Sequence, residues 1–133
     1  MDCLSYERII LFHEKALKKF GGLEGVYKPE DVLNLQAYIS SASRNYDFDE
    51  IETICLAVYQ IAKGHFFADG NKRTAYYVLL NCLKLFGYKY TGRPIDLARK
   101  IEEMARAMPT QKGKENAVGN LTYFLKSKLQ KNW

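Results

Sequence analysis

The feature that most constrains the fold is a pair of apolar stripes that run up to one short polar segment from both sides. Ile51, Ile54, Cys55, Val58, Ile61 and Ala62 form the first, and Ala75, Val78, Leu79, Cys82, Leu83 and Phe86 the second. Spacings of three and four belong to a helix with one buried face. Two helices are therefore predicted, from near Asp47 or Asp49 to Gly64 and from Asn71 to Phe86. They are the most apolar of the chain and belong at its centre, so the segment between them is held there too.

Glycine and proline cut the rest into helix-length pieces. Tyr6, Ile9, Ile10, His13, Leu17 and Phe20 give a first helix over about residues 5–20, with Ser5 as its cap and Gly21-Gly22 as its stop. His13 reads as a core histidine on that apolar face. Residues 25–28 read as a loop, and Pro29 opens a second helix with Glu30 and Asp31 at its positive end. Residues 40–46 show no period and read as a loop or short hairpin. Residues 88–92 read as briefly extended. Pro94 opens a fifth helix to about Met108, and a sixth covers about residues 116–128. With no pair of alternating strands, the prediction is an all-α orthogonal bundle of about six helices. It forms one domain over residues 1–133, with a short hairpin or loop flap before the third helix.

A chain of 133 residues, 47% of them hydrophobic, buries about two thirds of its unfolded surface and needs no staples. No apolar run reaches the roughly 18 residues of a membrane span. The start, MDCLSYERII, lacks the pattern of an export signal, so a cytoplasmic protein is expected. Cys3, Cys55 and Cys82 are widely spaced and read as reduced thiols, the last two as small core hydrophobes. The net charge of +5 favours an anionic partner. Lys112, Lys114, Lys126, Lys128 and Lys131 carry much of it and read as a solvated face.

The segment between the central helices reads Gly64-His65-Phe66-Phe67-Ala68-Asp69-Gly70-Asn71-Lys72-Arg73-Thr74. A helix N-terminus directly behind it offers unpaired N–H groups and partial positive charge to an anion. Gly70 lets the backbone come close to a phosphate or turn left-handed. Lys72 and Arg73 stand in the first turn, where the helix dipole disfavours cations, unless an anionic ligand offsets the cost. Asp69 is a hard oxygen ligand suited to Mg²⁺, which takes one or two carboxylates plus substrate phosphates. Phe67 can anchor the loop in the core, and His65 is suited to general-base work near neutral pH. Each residue alone has a plainer reading, as core histidine, common turn or surface charge. Together they describe phosphoryl or nucleotidyl transfer.

His65 to Arg73, HFFADGNKR, resembles the signature of the Fic/Doc family: His-Pro-Phe, a variable residue, Asp or Glu, Gly-Asn-Gly, then Arg or Lys, and a further Arg three residues on. The segment Phe20-Gly21-Gly22-Leu23-Glu24-Gly25, behind a helix carrying His13, resembles the amino-terminal part of the death-on-curing (Doc) toxins. The resemblance covers roughly residues 4–92, and the last third matches by helical content only. Phe66 replaces the usual Pro, Lys72 the second motif Gly, and Tyr76 the second Arg, all features of the Doc branch. That branch is understood to present the γ-phosphate of the nucleotide to its target, elongation factor Tu, in place of AMP.

The resemblance implies that His65 deprotonates the acceptor hydroxyl and Asp69 holds Mg²⁺. Gly70, Asn71, Lys72 and Arg73 would cradle the phosphates of ATP or another nucleoside triphosphate. Ser43, Arg44 and Asn45 lie where family members dock the target chain. The glutamate-bearing inhibitory motif of the family is missing here, because Phe20 and Gln111 stand where Ser or Thr should precede Glu24 and Glu115. Restraint would then come in trans, from an antitoxin. The competing readings are a Fic-type adenylyltransferase, a basic nucleic-acid-binding helical module, and a non-catalytic interaction protein. Lys72 and Tyr76 oppose the first, scattered basic residues the second, and intact His65, Asp69 and Asn71 the third.

Overall fold

Ser5 starts the first helix, accepting the Arg8 N–H at 3.3 Å, and Gly21 stops it at φ 77°. In the computed structural model, which describes residues 1–131, this is α1 (Tyr6–Phe20), preceded by a 3-10 turn over Asp2–Leu4. There follow α2 (Pro29–Tyr46), α3 (Glu50–Lys63), α4 (Asn71–Leu85), β1 (Tyr88–Tyr90), α5 (Pro94–Ala105), α6 (Gln111–Lys126) and β2 (Leu129–Lys131).

The predicted all-α bundle is what forms, with α3 at its centre. Helices α2, α4, α5 and α6 all pack on α3. Its residues from Ile54 to Tyr59 are buried without a break, so the helix is enclosed on nearly every side. Val78, Leu79, Cys82 and Leu83 of α4 join the same core. Burying such stripes stabilises each helix by roughly 25 cal/mol per Å² of apolar surface, well beyond what propensity supplies.

Three expectations are corrected. Residues 40–46 are neither loop nor hairpin but the last turns of α2. Val32, Leu35, Ile39 and Ala42 form one buried stripe, and the small Ala42 completes it where weak helix formers hid the period. Asp47, left-handed at φ 55°, ends α2, so α3 begins only after its Asp49 cap. Secondly, β1 pairs antiparallel with β2, Tyr88 opposite Lys131 and Tyr90 opposite Leu129. Residues 88–90 are thus extended as expected, against a partner strand just beyond α6. Thirdly, Cys3 and Cys82 form a disulfide that ties the 3-10 turn to α4, and Cys55 alone is a free thiol. Its burial pushes the Cys55 thiol up to about 12, so it behaves as the predicted core hydrophobe.

Helix α6 begins earlier than predicted because Thr110 caps it, accepting the Gly113 N–H at 3.0 Å. Asp49 caps α3 with a reciprocal capping box: it accepts the Glu52 N–H at 2.8 Å, and Glu52 accepts the Asp49 N–H at 3.2 Å. It also meets Lys126 at 2.6 Å. Partial burial pushes the Asp49 carboxyl up, but the Glu52 N–H and the Lys126 ammonium outweigh it and hold the carboxyl below its ordinary value. A depressed carboxyl contributes stability above its unfolded value and loses it as pH falls through the folded one. Asp49→Ala is expected to lower the unfolding free energy by about 1 kcal/mol at neutral pH. Denaturant unfolding of both proteins checks this, with the difference shrinking below about pH 4.

Candidate active site

The C-terminus of α3 and the N-terminus of α4 are joined by residues 64–70, which carry His65, Phe67, Asp69 and Gly70 of the predicted site, with Asn71, Lys72 and Arg73 at the start of α4. Gly64 closes α3, its N–H bonding the Gln60 carbonyl at 2.8 Å, and Lys28 donates to the Gly64 carbonyl at 2.8 Å, placing a cation at that helix's negative end. Phe66 and Phe67 then both enter the core, at 5% and 1% exposure. With two successive aromatic rings buried, His65 and Asp69 on either side of them stand exposed. His65 takes φ 54°, a sparsely populated backbone state for a side chain of this size. Its ring has no hydrogen-bond partner among the described residues.

Gly70, left-handed at φ 77°, is the N-terminal cap residue of α4 and contributes no side chain to the cap. Thr74 donates its N–H to the Gly70 carbonyl at 2.9 Å. The N–H groups of Asn71, Lys72 and Arg73 are unpaired among the described residues. These are the N–H groups that the sequence reading offers to an anion. Lys72 is exposed and without an ion pair, while the Arg73 guanidinium lies over the Phe20 ring at 4.1 Å. No acidic residue occurs in α4.

Asn71 also holds the loop together. Its side-chain oxygen accepts the Phe67 N–H at 3.1 Å and its amide donates to the Phe67 carbonyl at 2.9 Å. The amide is a staple across the loop, and its second N–H and the Asn71 backbone N–H are left for an anion. The Phe67 ring itself lies in the core.

Asp69 is held by two backbone donors. Its Oδ1 accepts the Gly70 N–H at 2.9 Å and its Oδ2 the Leu23 N–H at 3.2 Å. Each oxygen keeps a free lone pair, and the carboxylate is exposed. No group of three His, Cys, Asp or Glu that could hold a metal occurs among the described residues, and Asp69 is the one carboxylate of residues 64–74. That fits Mg²⁺ arriving with nucleotide phosphates, which supply the other oxygens.

Ser43, Arg44 and Asn45 are not brought to this loop. They lie in the last turn of α2, beside the start of α3, whose 14 residues set them about 20 Å from its His65 end. The Ser43 hydroxyl is turned inward without a partner.

Sequence reasoning missed what does lie against the loop. Residues 22–28 run beside it: Val26 forms an antiparallel bridge with Phe67. Tyr27 donates its N–H to the Phe66 carbonyl at 2.8 Å, and Ala68 to the Gly25 carbonyl at 3.0 Å. The backbone groups of Val26 itself have no partner among the described residues, leaving an open edge flanked by exposed Leu23 and Tyr27. The Gly-Gly and Gly25 signals were visible in the sequence, but only as a helix stop and a loop.

A helical bundle with an exposed imidazole just past its central helix, and unpaired N–H groups at the start of the next, is the core of one class of proteins. The chain belongs to that class, the Fic/DOC family, whose model matches residues 3–83, well over half of its length. It is 33% identical over 90 residues to Protein kinase doc of Escherichia phage P1, a match covering 65% of this chain and 66% of that protein. The matched stretch is thus just under two thirds of the relative's length. A relative of this name agrees with the Doc-branch residues Phe66, Lys72 and Tyr76. No helix among the described residues is long and apolar enough to cross a membrane.

Proposed function

We propose that this protein is a Doc-like toxin of a toxin–antitoxin pair, transferring the γ-phosphate of ATP or another nucleoside triphosphate to a Ser or Thr hydroxyl of a cytoplasmic target protein. The observation that carries the reading is the exposed His65 imidazole, unpartnered among the described residues, in the loop that leads into the unpaired N–H groups of α4. In the reaction, His65 takes the proton of the acceptor hydroxyl as its oxygen bonds the γ-phosphorus. The bond from that phosphorus to the bridging oxygen breaks, and the nucleoside diphosphate leaves with the electron pair. The α4 N-terminus, Lys72 and Arg73 bind and neutralise phosphate charge. Asp69 would hold Mg²⁺, which when bound neutralises phosphate charge and orients the chain.

Lys72 and Tyr76 favour phosphate over AMP transfer. Lys72 fills the cradle position that an adenylyltransferase of the family keeps as Gly, and α4 carries no further cation from Tyr76 to Leu83. Half-buried Tyr76 packs edge-on against Tyr77 at 6.1 Å, and burial pushes its hydroxyl up, so it offers a γ-phosphate no charge. The open edge at Val26 supports target docking as an added strand there, beside His65, more strongly than a role for Ser43, Arg44 and Asn45. By family resemblance the target is elongation factor Tu, and an antitoxin in trans supplies the restraint.

Incubating the protein with ATP, Mg²⁺ and a bacterial translation extract tests the reading by intact-protein mass spectrometry. One phosphate gained on a single protein is the expected result. One AMP gained would replace the kinase reading with adenylyl transfer.

A further inference from the structure

The His13 ring is 4% exposed, in the core beneath the loop. It lies flat on the Phe67 ring, 3.7 Å between centroids at 8°. Its Nε2 stands 2.9 Å from the Asp69 carbonyl, and since a carbonyl only accepts, Nε2 carries the proton. Burying an imidazole in an apolar core is costly unless it is paired. Leucine would fill the place without that cost, so the polar ring is explained by the carbonyl it satisfies.

The neighbouring glycines belong to the same arrangement. A Cβ on Gly22, which is at φ 129°, would stand 2.7 Å from Asp69 Oδ2 and 3.1 Å from its Cγ. Only glycine lets residues 22–23 come close enough for the Leu23 N–H to reach that oxygen. Asp69 is therefore gripped at three points: its carbonyl by α1, its Oδ2 by residue 23, and its Oδ1 by Gly70.

We propose that His13 is a positioning residue for the transfer reaction: together with the Gly22-Leu23 segment it fixes the Asp69 carboxylate before cation and nucleotide arrive. The inference rests on the phosphotransfer reading of the site for its role in turnover, and on geometry alone for the grip. Groups that orient a metal ligand are commonly worth about 10- to 100-fold in metal affinity.

The test compares wild type, His13→Phe and His13→Gln. Phenylalanine keeps the stack on Phe67 and loses the donor, whereas glutamine keeps an N–H donor. Titration calorimetry with the non-hydrolysable ATP analogue AMP-PNP, with and without Mg²⁺, measures how much the cation tightens binding. His13→Phe is expected to cut that gain by about 10-fold or more and to leave metal-free binding unchanged, while His13→Gln restores most of it. An unchanged gain in His13→Phe overturns the inference. So does an equal fall of metal-free binding and unfolding midpoint, the mark of a histidine that only fills space. Amide hydrogen exchange of the nucleotide-free proteins tests the grip by itself, with the Leu23 and Gly70 amides expected to exchange about 10-fold faster in His13→Phe. Unchanged exchange there overturns the grip. Wild type that binds no analogue in either condition, with faster exchange in the variant, overturns the phosphotransfer reading and leaves the grip standing.

Discussion

Replacing His65 by alanine is expected to slow phosphate transfer by about 10²- to 10⁴-fold, the range a positioned general base supplies, with the unfolding midpoint nearly unchanged. The two halves of that expectation come from the same geometry. The ring is exposed and makes no hydrogen bond among the described residues, so its removal leaves no buried partner unsatisfied. At φ 54° the backbone is held by its neighbours, Gly64 bonded to Gln60 on one side and buried Phe66 on the other. Alanine is no easier than histidine in that conformation, so His65→Asn, which tolerates it better, is the companion variant. Radiolabel transfer from γ-labelled ATP to the target reads activity, and thermal unfolding reads the fold. Transfer near the wild-type rate in both variants would remove His65 from the reaction. A large drop in midpoint would mean that the residue holds the loop together.

The parts of this site that were legible in the sequence are those carried by contiguous residues. His65, Asp69, Gly70, Lys72 and Arg73 lie within one turn and one helix start, and the two apolar stripes that centre them have strong helical periods. What was not legible depends on distant pairs. The buried state of His13 followed from its place on the α1 stripe, but its bond to Asp69 spans 56 positions. Gly22 looked like a helix stop until a carboxylate stood where its Cβ would be. Cys3 and Cys82 are 79 positions apart, and nothing local marks them as a pair. The end of α2 failed for another reason: Ser40, Ser41 and Ser43 are poor helix formers, and only burial of Ala42 against the core decides the matter. Ser43, Arg44 and Asn45, expected in a loop there, are helical for the same reason. The open edge at Val26 depends on its pairing with Phe67, 41 positions away.

Phe67→Ala is the variant expected to damage fold and site together. Truncating a fully buried phenylalanine costs about 3–5 kcal/mol, from lost burial plus the cavity left behind. Marginally stable domains have roughly 5–15 kcal/mol in total, so an unfolding midpoint lower by on the order of 10–20 °C is expected. The side chain is 1% exposed, lies flat on His13 at 3.7 Å and meets Phe66 edge-on at 6.5 Å. Its backbone is bridged to Val26 on one side and stapled by the Asn71 amide on the other. Three segments that position the loop thus meet at this residue: α1 through His13, residues 22–28 through Val26, and α4 through Asn71. Activity should therefore fall further than the unfolded fraction explains, even at temperatures where the variant is folded. Phe67→Leu separates the two effects, since leucine recovers most of the buried apolar volume but cannot stack flat on an imidazole. Its midpoint should lie much closer to wild type than that of Phe67→Ala, with transfer still several-fold slower. If Phe67→Leu were as active as wild type, the stack would be ordinary core packing, and the aromatic ring would matter to this site only through its size.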